Sequence, residues 1–184
     1  MNEVIKTIKI RRCIREYKTD QVKEADLKEI LEAAILAPNA MCQQKWHFSV
    51  VQNQELMKKL VSAIRENMKS IPFFAQRCED PNYSPFFQAP TLIFVSADSK
   101  VRFAPLDCAL AAQNILLAAE SLGLSTCIMT SSDLLFASDK GRALKNEIGI
   151  PEGYEHVCAI TLGYRAVPIP EARPRDKSVY NIVK

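Results

Sequence analysis

Residues 106–122, LDCALAAQNILLAAESL, read as a helix that is apolar almost all round, with Pro105 before it and Gly123 after it, where helix boundaries favour those residues. Such a helix must be covered on most of its sides. In a chain of 184 residues that leaves two roles, a central helix of the fold or the seam between two subunits. Just upstream, residues 91–97, TLIFVSA, form a continuous β-type run of the kind a doubly covered central strand uses. One domain of this length can bury both, because it removes about 70% of its unfolded surface from water. No metal or disulfide is needed to hold such a core.

The remaining pattern alternates between helical and strand periods, without repeats or a linker. Residues 24–37 put Leu27, Ile30, Leu31, Ala34 and Ile35 on one helical face, and Pro38 ends the helix. A strand over 46–51 and a second helix over 54–67 follow, the latter with Leu56, Leu60 and Ile64 in register. Residues 70–90 are rich in proline and phenylalanine and read as a packed loop with one short helix. A short strand over 126–129, a helix over 134–148 and a strand over 156–162 complete the compact part. The tail after Gly163 carries Pro168, Pro170 and Pro174, so it should run extended over something else, such as another subunit. Short, irregular connections favour an α+β fold, a mixed sheet flanked by helices, over a doubly wound parallel one.

With 24 basic and 21 acidic residues, a net charge of +3 is too balanced to mark a nucleic-acid surface. The opening MNEVIKTIKIRRC has no apolar core of signal-peptide length, and Asp107, Gln113, Asn114 and Glu120 interrupt the longest apolar run. Neither export nor a membrane span is expected, which makes the cytoplasm the expected location. Cys13, Cys42, Cys78, Cys108, Cys127 and Cys158 form no Cys-x-x-Cys pair, and only His47 and His156 could join them. No zinc site or disulfide framework is signalled, and six reduced thiols suit a reducing compartment.

Against that balanced background, RRCIREY concentrates Arg11, Arg12 and Arg15. On a helix Arg11 and Arg15 would share a face one turn apart, spaced to grip one anion. The plainer reading is a solvated face paired with Glu16 or Glu24. Arg173 and Arg175 form a second basic pair in the tail, and the two clusters could meet on one phosphate. With only five glycines and no glycine-rich loop, any phosphate must be held by side chains, for which the arginine fork is suited. In residues 37–48, APNAMCQQKWHF, the amides of Asn39, Gln43 and Gln44 could read a heterocycle edge, although alone this is an ordinary loop. Residues 124–133, LSTCIMTSSD, could bring backbone close to a ligand. There is no nucleophile elbow, no His-Glu-x-x-His and no Cys–His pairing, and His47 reads as packed within a strand. An enzyme without its own acids, bases and nucleophiles borrows its chemistry from a cofactor.

Five stretches in order, RRCIREY, AAILAPNAMCQQKWHFSVV, FFQAPTLIFV, LDCALAAQNILLAAESLGLSTCIM and IPEGYEHVCAITLGY followed by RPR, resemble the FMN-dependent nitroreductase family over nearly the whole chain. The resemblance implies an α+β fold in which two chains intertwine as a homodimer and bind two FMN molecules at their interface. It implies that Arg11, Arg12, Cys13 and Arg15 line the phosphate, ribityl and pyrimidine side of the flavin, with Arg173 and Arg175 completing the phosphate site. Pro38, Asn39, Ala40, Met41 and Gln43 match the loop that reaches the flavin from the partner subunit. Ile128, Met129, Thr130 and Ser131 match the backbone segment facing the ring near N5, and Asn82 falls where an asparagine touches the pyrimidine edge.

Cys13 stands where the family has serine, Met41 and Cys42 where small or amide residues are common, and Lys45 where proline is common. The short connection over 97–105 implies a pocket that is either open or covered by residues 70–90. The implied activity is that of an NADH- or NADPH-dependent FMN oxidoreductase, passing electrons by ping-pong turnover to nitroaromatic, quinone or related small-molecule acceptors. Two alternatives stay open: a different flavin reaction such as enone reduction, and a non-catalytic FMN-storage or redox-sensing protein with Cys13 and Cys42 as sensors. Nucleic-acid binding through the arginines ranks last.

Overall fold

A computed structural model describes residues 1–184. Its centre is strand β2 (Thr91–Asp98), buried from Thr91 through Ala97. β1 (Trp46–Val51) pairs with it on one side and β4 (Tyr154–Gly163) on the other, while β3 (Ser125–Met129) pairs with β4. All these pairings are antiparallel, in the order β1-β2-β4-β3, with Val50 opposite Ile93, Phe94 opposite Ala159 and Cys127 opposite Thr161. Because side chains alternate across a pleat, Ile93, Val95 and Ala97 enter one apolar cluster with Ile160 and Leu162. Leu92 and Phe94 enter the other, with Ala159, Cys127 and Met129. This double burial is why the β2 sequence is apolar throughout rather than alternating.

On the first face lie α2 (Glu24–Ile35) and α5 (Ala104–Ser121), the latter with Pro105 in its first turn and Gly123 at φ +75 beyond its end. Cys108, Ala111, Ala112, Ile115 and Ala119 of α5 are buried against the sheet and α2. Leu106, Ala109, Leu110 and Gln113 form an opposite, exposed stripe. On the second face lie α3 (Gln54–Met68) and α6 (Asp139–Ile148). Met57, Leu60, Ile64 and Met68 recur at helical spacing and pack inward, and the Leu56 N–H donates to the Asn53 side chain at 2.9 Å to cap the helix. Residues 70–90 do contain one short helix, α4 (Pro72–Glu79), begun by proline.

Three elements differ from the sequence reading. An eight-residue helix α1 (Glu3–Ile10), capped by the Asn2 side chain, precedes the arginines and buries none of its residues. The expected helix over 134–148 is divided into a 3-10 segment, Ser131–Ala137, and α6, because Ser138 takes an extended conformation and its hydroxyl accepts from the Gly141 N–H at 3.3 Å. A Cβ at Gly141 would collide with the Leu135 carbonyl, so the two segments meet backbone to backbone where only glycine fits.

RRCIREY, finally, is extended rather than helical. Cys13 bridges Thr126 in parallel, the Ile14 N–H donates to the Thr126 carbonyl at 3.0 Å, and Tyr17 bridges Arg165. The free edge of β3 supplies the backbone partners, and Ile14, β-branched and buried, fills the space behind. Arg11, Cys13 and Arg15 therefore share a side by alternation of two, not by a helical turn.

Candidate functional site

Along this edge the positive side chains lack acidic partners. None of the ion pairs in the molecule engages Arg11, Arg12 or Arg15, so the expected pairing with Glu16 or Glu24 does not form. Arg12 turns back to donate to the Lys9 and Arg11 carbonyls, both at 2.7 Å, and its buried Nε has no partner. The one carboxylate beneath the cluster is Glu120 near the end of α5, which burial pushes up against the pull of Arg165, Arg11 and Arg12. Net positive charge thus remains at the surface of this corner.

Cys13 sits among these groups, with Arg11 Nη1 at 3.8 Å from its sulfur. A hydrogen bond from the Cys127 thiol holds Cys13 down at about 5, with Arg11 adding to the shift and burial opposing it; the Cys127 thiol is raised in turn. Tyr17 locks the strand from below, its hydroxyl bonded to the Ile14 carbonyl and the Thr161 hydroxyl, both at 2.7 Å.

Where β3 ends, Ile128, Met129, Thr130 and Ser131 form one wall of a cavity of about 220 Å³ that also contains Arg15. Its other walls are aromatic: Phe74 from α4, and Tyr83 and Phe87 from the following loop. The Arg15 guanidinium lies over the Phe87 ring, 5.7 Å from its centroid. Residues from the 70–90 segment thus line this cavity. A single side chain fixes that segment. Arg65 of α3 donates to the carbonyls of Cys78 (2.9 Å), Asp80 (2.8 Å), Pro81 (2.9 Å) and Tyr83 (2.7 Å). Beyond it Phe87 and Gln88 adopt positive φ of 56° and 53°, a left-handed backbone that non-glycine residues hold only when tightly anchored.

Asn82 faces elsewhere. It lines the largest cavity, about 760 Å³, between α3 and the 80–90 loop with Met57, Val61 and Phe86, and does not reach the one that holds Arg15.

The other sequence-derived positions lie apart from Arg15 within one chain. Pro38, Met41 and Gln43 are exposed, with Asn39 and Ala40 half-buried. Met41, Cys42 and Gln44 have φ of 55°, 53° and 51°, so this loop too is left-handed without glycine. Its anchor is Asp107, buried in the first turn of α5, whose two carboxylate oxygens accept from the Ala40 N–H at 3.1 and 3.2 Å. Arg173 and Arg175 are exposed in the tail and make no ion pair.

Asp107 had a sequence signal, a charge among apolar residues; Arg65 had none, being one of many charges on an amphipathic helix.

The profile of the Nitroreductase family matches residues 8–164. This chain belongs to the nitroreductase family. A protein of Archaeoglobus fulgidus, named provisionally as an NADH dehydrogenase/NAD(P)H nitroreductase, is 36% identical over 169 residues, covering 89% of this chain and 86% of its own. Two crystal structures of nitroreductases with bound FMN superpose over 100% of both chains at 32% identity: one from Bacteroides fragilis at a TM-score of 0.93, one from Desulfitobacterium hafniense at 0.91. This chain therefore follows the fold of those structures along its whole given length.

Proposed function

We propose that two copies of this chain form an FMN-dependent oxidoreductase that takes electrons from NADH or NADPH and passes them to nitroaromatic, quinone or related small-molecule acceptors. The observation that carries this reading is the set of unpaired arginines on the open edge of β3, beside a cavity walled by backbone and aromatic rings. The FMN-bound structures of family members with the same fold support it. When bound, FMN supplies two-electron acceptance from the reductant and donation to the acceptor at its ring system, in ping-pong turnover.

The residues of this chain then divide the work of binding it. Arg11 and Arg12, joined by Arg173 and Arg175, hold the phosphate, whose near-dianionic charge matches a cluster with a single buried carboxylate. Cys13 lies along the ribityl side, where a bound phosphate would push its thiol back up from the low value set by Cys127 and Arg11. Arg15 places its charge toward the pyrimidine end and favours the reduced, anionic ring. Ile128, Met129, Thr130 and Ser131 present backbone to the ring face. Pro38, Asn39, Ala40, Met41 and Gln43 of the second copy close the site, which gives a purpose to a loop held in strained backbone by Asp107 yet exposed in one chain. Asn82, opening onto a different cavity, is given no part.

A homodimer is supported by the exposed apolar surface of α5 and its surroundings: Phe103, Leu106 and Leu110, with Ile35 and Leu36 of the α2 end. No helix is long and apolar enough to cross a membrane. Six free cysteines and a nicotinamide reductant fit a cytoplasmic enzyme.

The test is the visible spectrum of the purified protein before and after NADH or NADPH is added without oxygen. Flavin bands that bleach support the reading; bands that persist favour the storage or sensing role. No bands after reconstitution with FMN would rule out both.

A further inference from the structure

The last rung of the ladder between β3 and β4 is closed by a side chain. Met129 stands opposite Ala159, yet the Ala159 N–H donates to the Ser132 hydroxyl at 3.0 Å, and that hydroxyl donates to the Met129 carbonyl at 2.6 Å. His156 Nε2 lies 2.7 Å from the same oxygen. A hydroxyl has one proton and two lone pairs. Because the Met129 carbonyl cannot donate, the proton lies on that side, and the lone pairs accept from Ala159 N–H and His156 Nε2–H. With every position used, the fully buried Ser132 hydroxyl cannot turn to another partner.

This arrangement fixes the peptide that follows. Across a trans peptide the Thr130 N–H points opposite to the Met129 carbonyl, and hence away from β4. On that side runs the RRCIREY strand, and there Thr130 lines the cavity together with Arg15. The Thr130 N–H has no partner within the chain. A clamped and unpaired donor therefore faces the space that the proposed function gives to the flavin ring.

We propose that Ser132, backed by His156, is a positioning residue that holds the Thr130 N–H toward the ring nitrogen N5 and so favours the oxidised flavin. This rests on the reading of the site as an FMN oxidoreductase. N5 of the oxidised ring accepts a hydrogen bond, whereas in the reduced ring it carries a hydrogen and donates. A backbone N–H that cannot turn away stabilises the first state and confronts a donor in the second. Arg15 works in the opposite sense, because its charge favours the reduced, anionic ring. Without the Ser132 hydroxyl, the rung closes directly or the peptide turns, and either movement takes the Thr130 N–H from its place. Loss of that one hydrogen bond shifts the ratio of affinities for oxidised and reduced FMN about tenfold toward the reduced form, which raises the two-electron potential by about 30 mV.

The experiment measures the midpoint potential of the FMN-loaded protein against reference dyes without oxygen, in the wild type, Ser132→Ala, His156→Gln and His156→Leu. Ser132→Ala should raise it by about 30 mV and His156→Leu by less, while His156→Gln, whose amide still donates to the hydroxyl, should stay near the wild type. An unchanged or lowered potential in Ser132→Ala overturns the proposal, as do equal shifts in the two histidine variants, which decide the matter if Ser132→Ala does not fold. A second readout needs no cofactor: imidazole nitrogen shifts of the flavin-free protein, assigned by comparison with His156→Gln, should show His156 as the Nε2–H tautomer. The Nδ1–H tautomer would draw the Ser132 proton to the ring, leave Met129 without its donor and overturn the proposal. A wild type that takes up no FMN defeats the oxidoreductase reading and this proposal together, whereas FMN uptake with an unmoved potential defeats the proposal alone.

Discussion

Two loops with left-handed, non-glycine backbone stand out in this molecule, at 41–44 and at 87–88, and each depends on one charged side chain from a helix. Arg65 holds the second loop through four carbonyls, and Asp107 holds the first through one N–H. The Arg65-bound loop folds inward, placing Tyr83 and Phe87 in a cavity of its own chain. The Asp107-bound loop faces solvent, with Met41 88% exposed. Strained backbone that is heavily anchored and turned inward completes a site; strained backbone that is lightly anchored and turned outward is offered to a second molecule. In the proposed dimer the two faces of the sheet thus have different tasks, the α3 face closing the pocket and the α5 face meeting the second copy.

Acid should separate the two faces most strongly. Under the 3-10 segment on the α3 face, the half-buried His156 lies between Phe94 and Phe136, with ring centroids 5.7 and 5.0 Å away. The Ser132 hydroxyl donates to the Met129 carbonyl at 2.6 Å and so accepts from His156 Nε2–H at 2.7 Å, leaving Nδ1 buried without a partner. Burial, with Lys145 adding to it, lowers the imidazole from 6.5 to about 4. The folded state thus favours the neutral ring, while the unfolded chain takes up the proton first. The stability this group contributes is complete above pH 6.5 and declines as pH falls toward 4, by roughly 3 kcal/mol. Urea unfolding at several pH values should show this slope, and His156→Gln should flatten it; an equal slope in the variant would exclude His156 as the cause. Hydrogen exchange at pH 5 should open 131–137 before α5.

Arg65→Met should be the next largest effect, a loss of about 2 kcal/mol from carbonyls left without a charged donor. Exchange should speed up at 78–88 and not at 38–44, with KM for acceptors raised through the loosened pocket wall. Asp107→Ala removes a single acceptor pair and should destabilise by about 1 kcal/mol. Its stronger readout should be dimer dissociation at lower dilution in sedimentation, since the loop it holds faces the second copy in the proposed dimer. If Asp107→Ala instead loosened 78–88, or Arg65→Met weakened the dimer, the division between the two faces would fail.

Much of this architecture was legible in the sequence because burial leaves a periodic record. β2 could be continuous only if covered on both faces, and α5 could be apolar almost all round only as a central helix or at a seam between subunits. α1 left no such record, since Val4, Ile5 and Ile8 face solvent and nothing in it is buried. The break at Ser138 was marked in the sequence by the polar run SDKGR over 138–142, a hydroxyl before an acidic first turn with a glycine inside it, which the apolar residues on either side outweighed.

At the site, the arginines and the 128–131 backbone could be found as a cluster, but the geometry joining them could not. RRCIREY carries a helix-compatible spacing and a strand-compatible alternation at once, and the free edge of β3, more than a hundred residues away, decides between them. Arg65 was invisible for the same reason: its four partners are backbone carbonyls, which have no letter in the sequence.

The most direct measurement compares FMN with riboflavin, which differ only in the phosphate, by titration of the flavin-free protein and of Arg11→Ala and Arg175→Ala. If the unpaired arginines hold the phosphate, the wild type should bind FMN about a hundredfold more tightly than riboflavin, and each variant should narrow that gap by about tenfold while binding riboflavin as before. Equal affinity for the two flavins, or an undiminished preference for FMN in both variants, would show that the arginines of the β3 edge and the tail serve another purpose.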